Sequence, residues 1–447
     1  MSNKSLNELK KSGSNLRGLL NDLKRRPEDA AKELNFPLKE LMQFINGEKE
    51  ISYEFISLAC KKWPVNERDF FVVKDDTEYG FKKMSSQNTK ESSRIMQRAG
   101  DDYYEYRDTV LTTVTTFRPE WIKQLCVVED NSPNNSKIQW NNGHFMHQFT
   151  YFIGCVNFYY INEVGEKCVE EMNTGDSCYI TPFVPHSFAT RAESEEPGLI
   201  LALTFGSNLS GDSQMELSAL SDPELASGYA LNFSKKNIAI GELIKFFRQS
   251  FSISIDELCD RTNISKEVLK NYENGDFEFN YDQIEVIANA LGINTRDLLV
   301  YEDKKENSVI NKKFQDGASW DIDKKLFFVE LANSSNLPFT RSLHIDVKNT
   351  DKDFMQKVGL HQYIYNIGET SVYLNVDGES EELGVGDSCY IKPFISHSFT
   401  GEGSLLSLRI GGKINGDSLR ELSFIGRNNT KRAISESLPW FNKEGKN

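Results

Sequence analysis

The chain has 447 residues, 38% hydrophobic and 26% charged, with a formal net charge of −14. That length suits about three or four domains of roughly 100–200 residues each. The acidic balance excludes a general nucleic-acid binder, whose affinity comes from neutralising phosphates. There is no apolar run of about 18 residues to span a bilayer, and the opening MSNKSLNELKKSG has no apolar signal core. The seven cysteines stand singly, as in LACKK, QLCVV and DSCYI. With no CxxC pair, they read as free thiols of a reducing compartment, and a cytoplasmic location is expected.

In chain order, residues 1–75 are expected to form a helical domain. Leu16, Leu19, Leu20 and Leu23 follow helical spacing, and PEDAAKELN, PLKELMQFINGE and SYEFISLACKKW are amphipathic pieces closed by Asn, Gly or Pro. Residues 76–205 read as a β domain with a preceding loop, the polar stretch 74–97 being expected to be mobile. The Ser- and Gly-rich 206–235 is the expected linker. Residues 236–305 repeat the helical pattern with SIDELCDRTN, SKEVLKNYENGD and NYDQIEVIANALG, so that Asn46-Gly47-Glu48 aligns with Asn274-Gly275-Asp276. A second β domain, 306–426, and a tail, 427–447, complete the chain. The helical pattern resembles the helix-turn-helix domain of the lambda-repressor type.

The β domains share a motif. GHFMHQF and GDSCYITPFVPHSF lie between Gly143 and Phe188, and VGLHQY and GDSCYIKPFISHSF lie between Val358 and Phe399. A Gly-Asp turn leading into a strand and then a Pro and a His resembles the second motif of the cupins. The fold expected is therefore mixed α and β, a tandem repeat of a helix-turn-helix-like domain plus a cupin β-barrel, or bicupin. Its second barrel is degenerate, because Val358 stands where the first copy has His144.

His144 and His186 offer two imidazoles, and Gln148 is the best candidate for an oxygen ligand. Two His and one oxygen donor with open positions suit Fe(II) oxygen chemistry. In a regular strand, residues four apart lie about 13 Å apart, so His144 must sit in a bend, which Asn141-Asn142-Gly143 makes available. His147 has the opposite parity and should point away. A neutral Gln leaves the metal's charge uncompensated, which suits a dianionic phosphate or phosphonate substrate over zinc hydrolysis. Arg98, Tyr106, Asn141 and Lys24 are the candidate anion donors. Each alone would pass for a surface or strand residue. The second copy has Ser252 for Lys24 and Met355 for Asn141, so it has lost these groups together with the His.

These residues resemble those of the phosphonate-cleaving iron oxygenases, the family of hydroxyethylphosphonate dioxygenase, methylphosphonate synthase and the single-copy hydroxypropylphosphonic acid epoxidase. The resemblance covers about residues 10–425. In the dioxygenase a Glu ligand lies six residues before the final His; here that position is Ile180, so the resemblance assigns the third ligand to Gln148, as in the synthase. It implies an Fe(II) cofactor and 2-hydroxyethylphosphonate and O2 as substrates, with oxidative C–C cleavage to methylphosphonate and carbon dioxide or hydrogencarbonate. The dioxygenase outcome, hydroxymethylphosphonate and formate, is the alternative. Lys24, Arg98, Tyr106 and Asn141 carry over as phosphonate contacts, with Lys24, Tyr106 and Gln148 as catalytic residues. The rival from another class is a cupin-type transcription regulator. Against it, residues 1–62 hold twelve Lys/Arg beside nine Asp/Glu, only a slight basic excess. No nucleic-acid or membrane partner is expected. The helical domains are expected to cap the site and to build the interface of a homo-oligomer.

Overall fold

The computed structural model describes residues 3–220, 222–300, 309–436 and 438–440. The end of the expected tail, 441–447, and the expected junction at 301–308 lie outside the described residues.

Helices α1 (Asn3–Asp22), α2 (Pro27–Leu34), α3 (Leu38–Ile45) and α4 (Tyr53–Lys62) form the first helical unit. Their apolar stripes close on one core that includes Leu16, Leu41, Phe44 and Phe55, all fully buried. Pro27 starts α2 and Ser52 caps α4 by accepting from the Phe55 amide. The repeated Asn-Gly turn after α3 has a steric cause. A Cβ on Gly47, at φ +67°, would sit 2.7 Å from Lys10 Cα, and one on Gly275, at φ +75°, would sit 2.7 Å from Ile238 Cα. Both copies thus need glycine where the turn presses on their first helix.

The polar stretch expected to be a mobile loop is ordered. It contains β1 (Phe81–Met84), α5 (Ser86–Glu91) and β2 (Arg94–Arg98). Then follow β3 (Asp101–Asp108), β4 (Glu120–Gln124), β5 (Val127–Val128), β6 (His147–Ile153), β7 (Val156–Ile161), β8 (Lys167–Met172), β9 (Ser177–Ile180), β10 (His186–Arg191) and β11 (Leu199–Phe205). The expected linker carries two short helices, α6 (Asp212–Ala219) and α7 (Pro223–Ser227). The second helical unit comprises α8 (Lys236–Ser250), α9 (Ile255–Thr262), α10 (Lys266–Glu273) and α11 (Tyr281–Leu291). The second β unit begins with β12 (Val309–Lys312), β13 (Ser319–Ile322), β14 (Leu326–Glu330) and β15 (Thr340–Asn349). It continues with β16 (Gln356–Lys357), β17 (His361–Asn366), β18 (Val372–Val376), β19 (Glu379–Leu383), β20 (Ser388–Ile391) and β21 (Ser396–Ile410). Part of the expected tail is helical, in α12 (Gly416–Ile434).

In the first β unit a four-stranded sheet, β5-β10-β7-β8, faces a seven-stranded one, β12-β9-β6-β11-β4-β3-β2. The second has one ten-stranded assembly around the path β1-β20-β17-β21-β15-β14-β13. The hydrogen-bonded paths are open-ended, so the expected closed barrels stand in the described residues as open sheets folded over a core. The two units exchange strands: β1 pairs with β20 and β12 pairs with β9. The shared GDS motif secures both exchanges. Asp387 accepts from the Ser86 amide at 2.7 Å and Asp176 from the Phe314 amide at 3.0 Å. Ser388 and Ser177 likewise accept, at 2.9 Å each, from the Val110 and Ala332 amides. A further apolar core spans the joint, with Tyr151, Leu201 and Leu203 against Tyr365, Leu406 and Leu408. Strand β6 therefore has two buried faces. Phe149 and Tyr151 look into the joint, while Gln148, Thr150 and Phe152 look into the interior of the first unit.

Asp387→Ala leaves the half-buried Ser86 amide without its acceptor and removes the carboxylate 3.2 Å from Lys83. A loss of about 1–3 kcal/mol is expected in denaturant unfolding of the full chain; unchanged stability would contradict the role given to this joint.

Candidate metal and substrate site

Gln148 and His186 are carried by neighbouring parts of the first β unit, and His144 reaches them from the bend before β6. Gly143 turns that bend at φ +71°, and a Cβ there would lie 2.5 Å from the Phe183 carbonyl carbon. Phe183, itself at φ +64°, donates its amide to the His144 carbonyl at 2.7 Å. The two histidine-bearing segments are thus locked to each other. The second copy keeps the lock, with Phe394 at φ +64° and its amide 2.7 Å from the Val358 carbonyl. Val358 therefore does occupy the place of His144.

Each ring is oriented by its other nitrogen. His144 Nδ1 lies 2.8 Å from the Met146 carbonyl and His186 Nδ1 2.8 Å from the Val184 carbonyl. A carbonyl only accepts, so both Nδ1 atoms donate, and in the neutral rings both Nε2 atoms keep lone pairs. Gln148 Nε2 donates to Thr150 Oγ1 at 2.9 Å, which turns Oε1 inward, 3.1 Å from His144 Nε2. When the His144 ring is neutral, two lone pairs face each other. Something positive between them removes that repulsion, and a divalent metal ion fits the donor set. The His144 and His186 ring centroids are 5.2 Å apart. Burial first, and then the nearby His144 and Arg98, lower the His186 pKa to about 4 against the bond to Val184, so its ring is neutral at physiological pH. Among the described residues no group of three His, Cys, Asp or Glu side chains could hold a metal ion. The oxygen that faces the two imidazoles is that of the Gln148 amide. Ile180 lies directly across the sheet from Gln148 and is fully buried.

These side chains open on a cavity of about 140 Å³, lined also by Arg98, Tyr106 and Asn141. Arg98 donates to the Gln139 carbonyl at 2.7 Å, and its guanidinium lies 4.7 Å from the centre of the Tyr104 ring. Asn141 Oδ1 accepts from the His186 and Gly143 amides at 2.8 and 3.0 Å, which directs Nδ2 to His186 Nε2 at 3.1 Å. Burial, reinforced by Tyr104, pushes the Tyr106 hydroxyl up to about 12, so it stays protonated.

Lys24 does not line this cavity. It sits half-exposed after α1 at φ +57°, bonds the Asp22 carbonyl at 2.7 Å and lies 4.6 Å from the Trp440 ring centre. The cavity lining includes no residue of either helical unit. His147 points away as its parity requires, 2.5 Å from the Tyr179 hydroxyl in the joint. Among the polar lining residues, Tyr104, Thr204 and Glu120 were not anticipated. Burial raises the Glu120 carboxyl, against the opposing charge of Arg94 at 3.0 Å. Its only trace in the sequence is that it shares a strand face with Ile122.

The chain is similar to known proteins. Residues 241–303 match the model of a helix-turn-helix domain family. A methylphosphonate synthase of Nitrosopumilus maritimus (strain SCM1) is 49% identical over 98% of this chain and 97% of its own. The chain belongs to the methylphosphonate synthase family. A solved Streptomyces albus HEPD, with its substrate 2-hydroxyethylphosphonate and Fe(II) bound, superposes with a TM-score of 0.88 and is 34% identical over 97% of this chain and 99% of that one. A variant of 2-hydroxyethylphosphonate dioxygenase, 19% identical over 94% of this chain and 99% of its own, shares the fold with a TM-score of 0.77.

Thr150→Val removes the hydrogen-bond partner of the Gln148 amide at little change of volume. Metal affinity, measured by anaerobic Fe(II) titration, should fall about 10- to 100-fold, the usual cost of losing an outer-shell partner. Gln148→Ala should cost more. Wild-type affinity in both variants would remove Gln148 from the ligand set.

Proposed function

We propose that this chain is a cupin-type, non-haem Fe(II) enzyme that converts 2-hydroxyethylphosphonate and O2 into methylphosphonate and carbon dioxide or hydrogencarbonate. The observation that carries the reading is the pair of facing acceptors, His144 Nε2 and Gln148 Oε1 at 3.1 Å, with His186 beside them. His144, Gln148 and His186 would hold the iron. When bound, the metal supplies a Lewis-acidic redox centre at which substrate and O2 meet.

Charge favours a dianion here. The three donors are neutral, so the metal's charge is left for the substrate to balance. Arg98, held flat against Tyr104, offers its remaining N–H groups to two phosphonate oxygens. Asn141 Nδ2 can donate to an oxygen beside His186. The Tyr106 hydroxyl, which has no other bond among the described residues, supplies a third donor and, high in pKa, keeps its proton. Lys24, resting on Trp440, would reach a phosphonate only from a neighbouring copy in a homo-oligomer. The overall change balances without a reductant: C2H7O4P and O2 become CH5O3P, CO2 and H2O. All seven cysteines are free thiols, which supports the cytoplasm. Among the described residues no helix is long and apolar enough to cross a membrane.

The reading is tested by loading the protein with Fe(II) under anaerobic conditions, adding 2-hydroxyethylphosphonate and then O2, and following phosphorus by 31P NMR. Methylphosphonate is expected. Hydroxymethylphosphonate would assign the dioxygenase reaction, and unchanged substrate would contradict both. Arg98→Met should raise KM by about tenfold or more, the loss of a charge-assisted pair being worth roughly 1.5–3 kcal/mol; an unchanged KM would remove Arg98 from the phosphonate contacts.

A further inference from the structure

The second β unit lost His144 but did not become an apolar plug. The place of Gln148 is held by Gln362, that of His186 by His397, that of Thr204 by Arg409 and that of Ala202 by Ser407, as the strand registers show. Gln362, His397 and Ser407 are almost wholly buried. Arg409 Nε has no hydrogen-bond partner, and the guanidinium lies 6.0 Å from the centre of the Phe328 ring. Burial alone lowers its pKa to about 10, the mark of a desolvated, uncompensated cation.

Three buried atoms here have no hydrogen-bond partner: Arg409 Nε, Ser407 Oγ and Gln362 Oε1. The orientation of the amide is fixed. His397 Nδ1 donates to the Ile395 carbonyl at 2.9 Å, leaving Nε2 as an acceptor, and Gln362 Nε2 faces it at 3.4 Å. Oε1 is thereby turned the other way, to the face shared with Arg409 on the adjoining strand. A half-buried cation whose Nε has no partner and orphaned buried polar groups each cost free energy that a ligand would recover.

We propose that the second β unit contains a small-oxyanion site centred on Arg409, with Ser407 and Gln362 as its other contacts. The mixture of groups specifies the ligand class. Arg409 and the Ser407 hydroxyl donate, whereas Gln362 Oε1 accepts. An oxyanion that itself carries one O–H satisfies all three, as hydrogencarbonate or a monohydrogen phosphate or phosphonate does. The site takes no metal, because the guanidinium would repel a cation.

Binding to the folded chain alone raises its melting temperature by mass action. Metal-free full-length protein is melted in chloride buffer of constant ionic strength while sodium hydrogencarbonate or sodium phosphate replaces chloride. A saturable rise is expected in the wild type and in Arg98→Met, whose altered residue lines the first cavity. The rise should vanish in Arg409→Met, a replacement of similar bulk without the charge, and weaken several-fold in Ser407→Ala. A response to only one anion identifies which source of the shared chemistry the site takes. No saturable rise with either anion would show that water alone meets these groups and would overturn the proposal. So would a rise retained in Arg409→Met, one lost in Arg98→Met, or, should Arg409→Met not fold, an unchanged response in Ser407→Ala.

Discussion

The constraint on which the rest depends is the confrontation of His144 Nε2 with Gln148 Oε1. Neither atom can turn away. The Met146 carbonyl accepts from Nδ1 of the His144 ring and Thr150 Oγ1 accepts from Gln148 Nε2, so the neutral ring and the amide present lone pairs to a common point. A protein seldom buries such repulsion unless something positive relieves it. The bend at Gly143 and the left-handed Phe183 exist to bring this about, since a continuous strand would carry His144 about 13 Å from Gln148. A neutral amide as third donor would leave the metal's charge for a dianionic substrate to balance.

The second β unit shows what the same frame does without that constraint. Its Phe394–Val358 lock, its Gln and its His persist, and only the ligand at the bend has gone. In its interior a guanidinium stands on the strand position that is threonine in the first unit. The frame persists because it is shared. Each unit completes its sheet with a strand of the other, and the Asp-Ser pair of the GDS turn holds that strand in place. Tandem duplication is therefore structural as much as historical: removing either unit would expose the large apolar joint and unpair an edge strand of its partner.

Periodicity, repetition and the GDS–Pro–His motif made the order of helical and β units, the bend at His144, the outward parity of His147 and the degeneracy of the second copy legible in the sequence. These are local properties. Strand exchange was not legible, because β1 and β12 pair with strands far away in the chain and a polar stretch such as 74–97 reads alike as loop or edge strand. Glu120 and Tyr104 escaped for a similar reason: they enter the cavity through the pairing of β2, β3 and β4, which no spacing encodes. Lys24 was legible as a basic residue beside two arginines, but its contact with Trp440 depends on how the chain's far end packs on α1. The Asp176 and Asp387 side chains were read as turn residues, and their second role, as clasps for the neighbouring unit, follows only from the tertiary arrangement.

Anomalous diffraction at the iron edge, from crystals of the Fe(II)-loaded protein grown without O2, addresses the central claim most directly. One peak per chain is predicted, within bonding distance of His144 Nε2, Gln148 Oε1 and His186 Nε2. A peak beside Gln362 and His397, or one that leaves Gln148 outside the coordination sphere, would contradict the account.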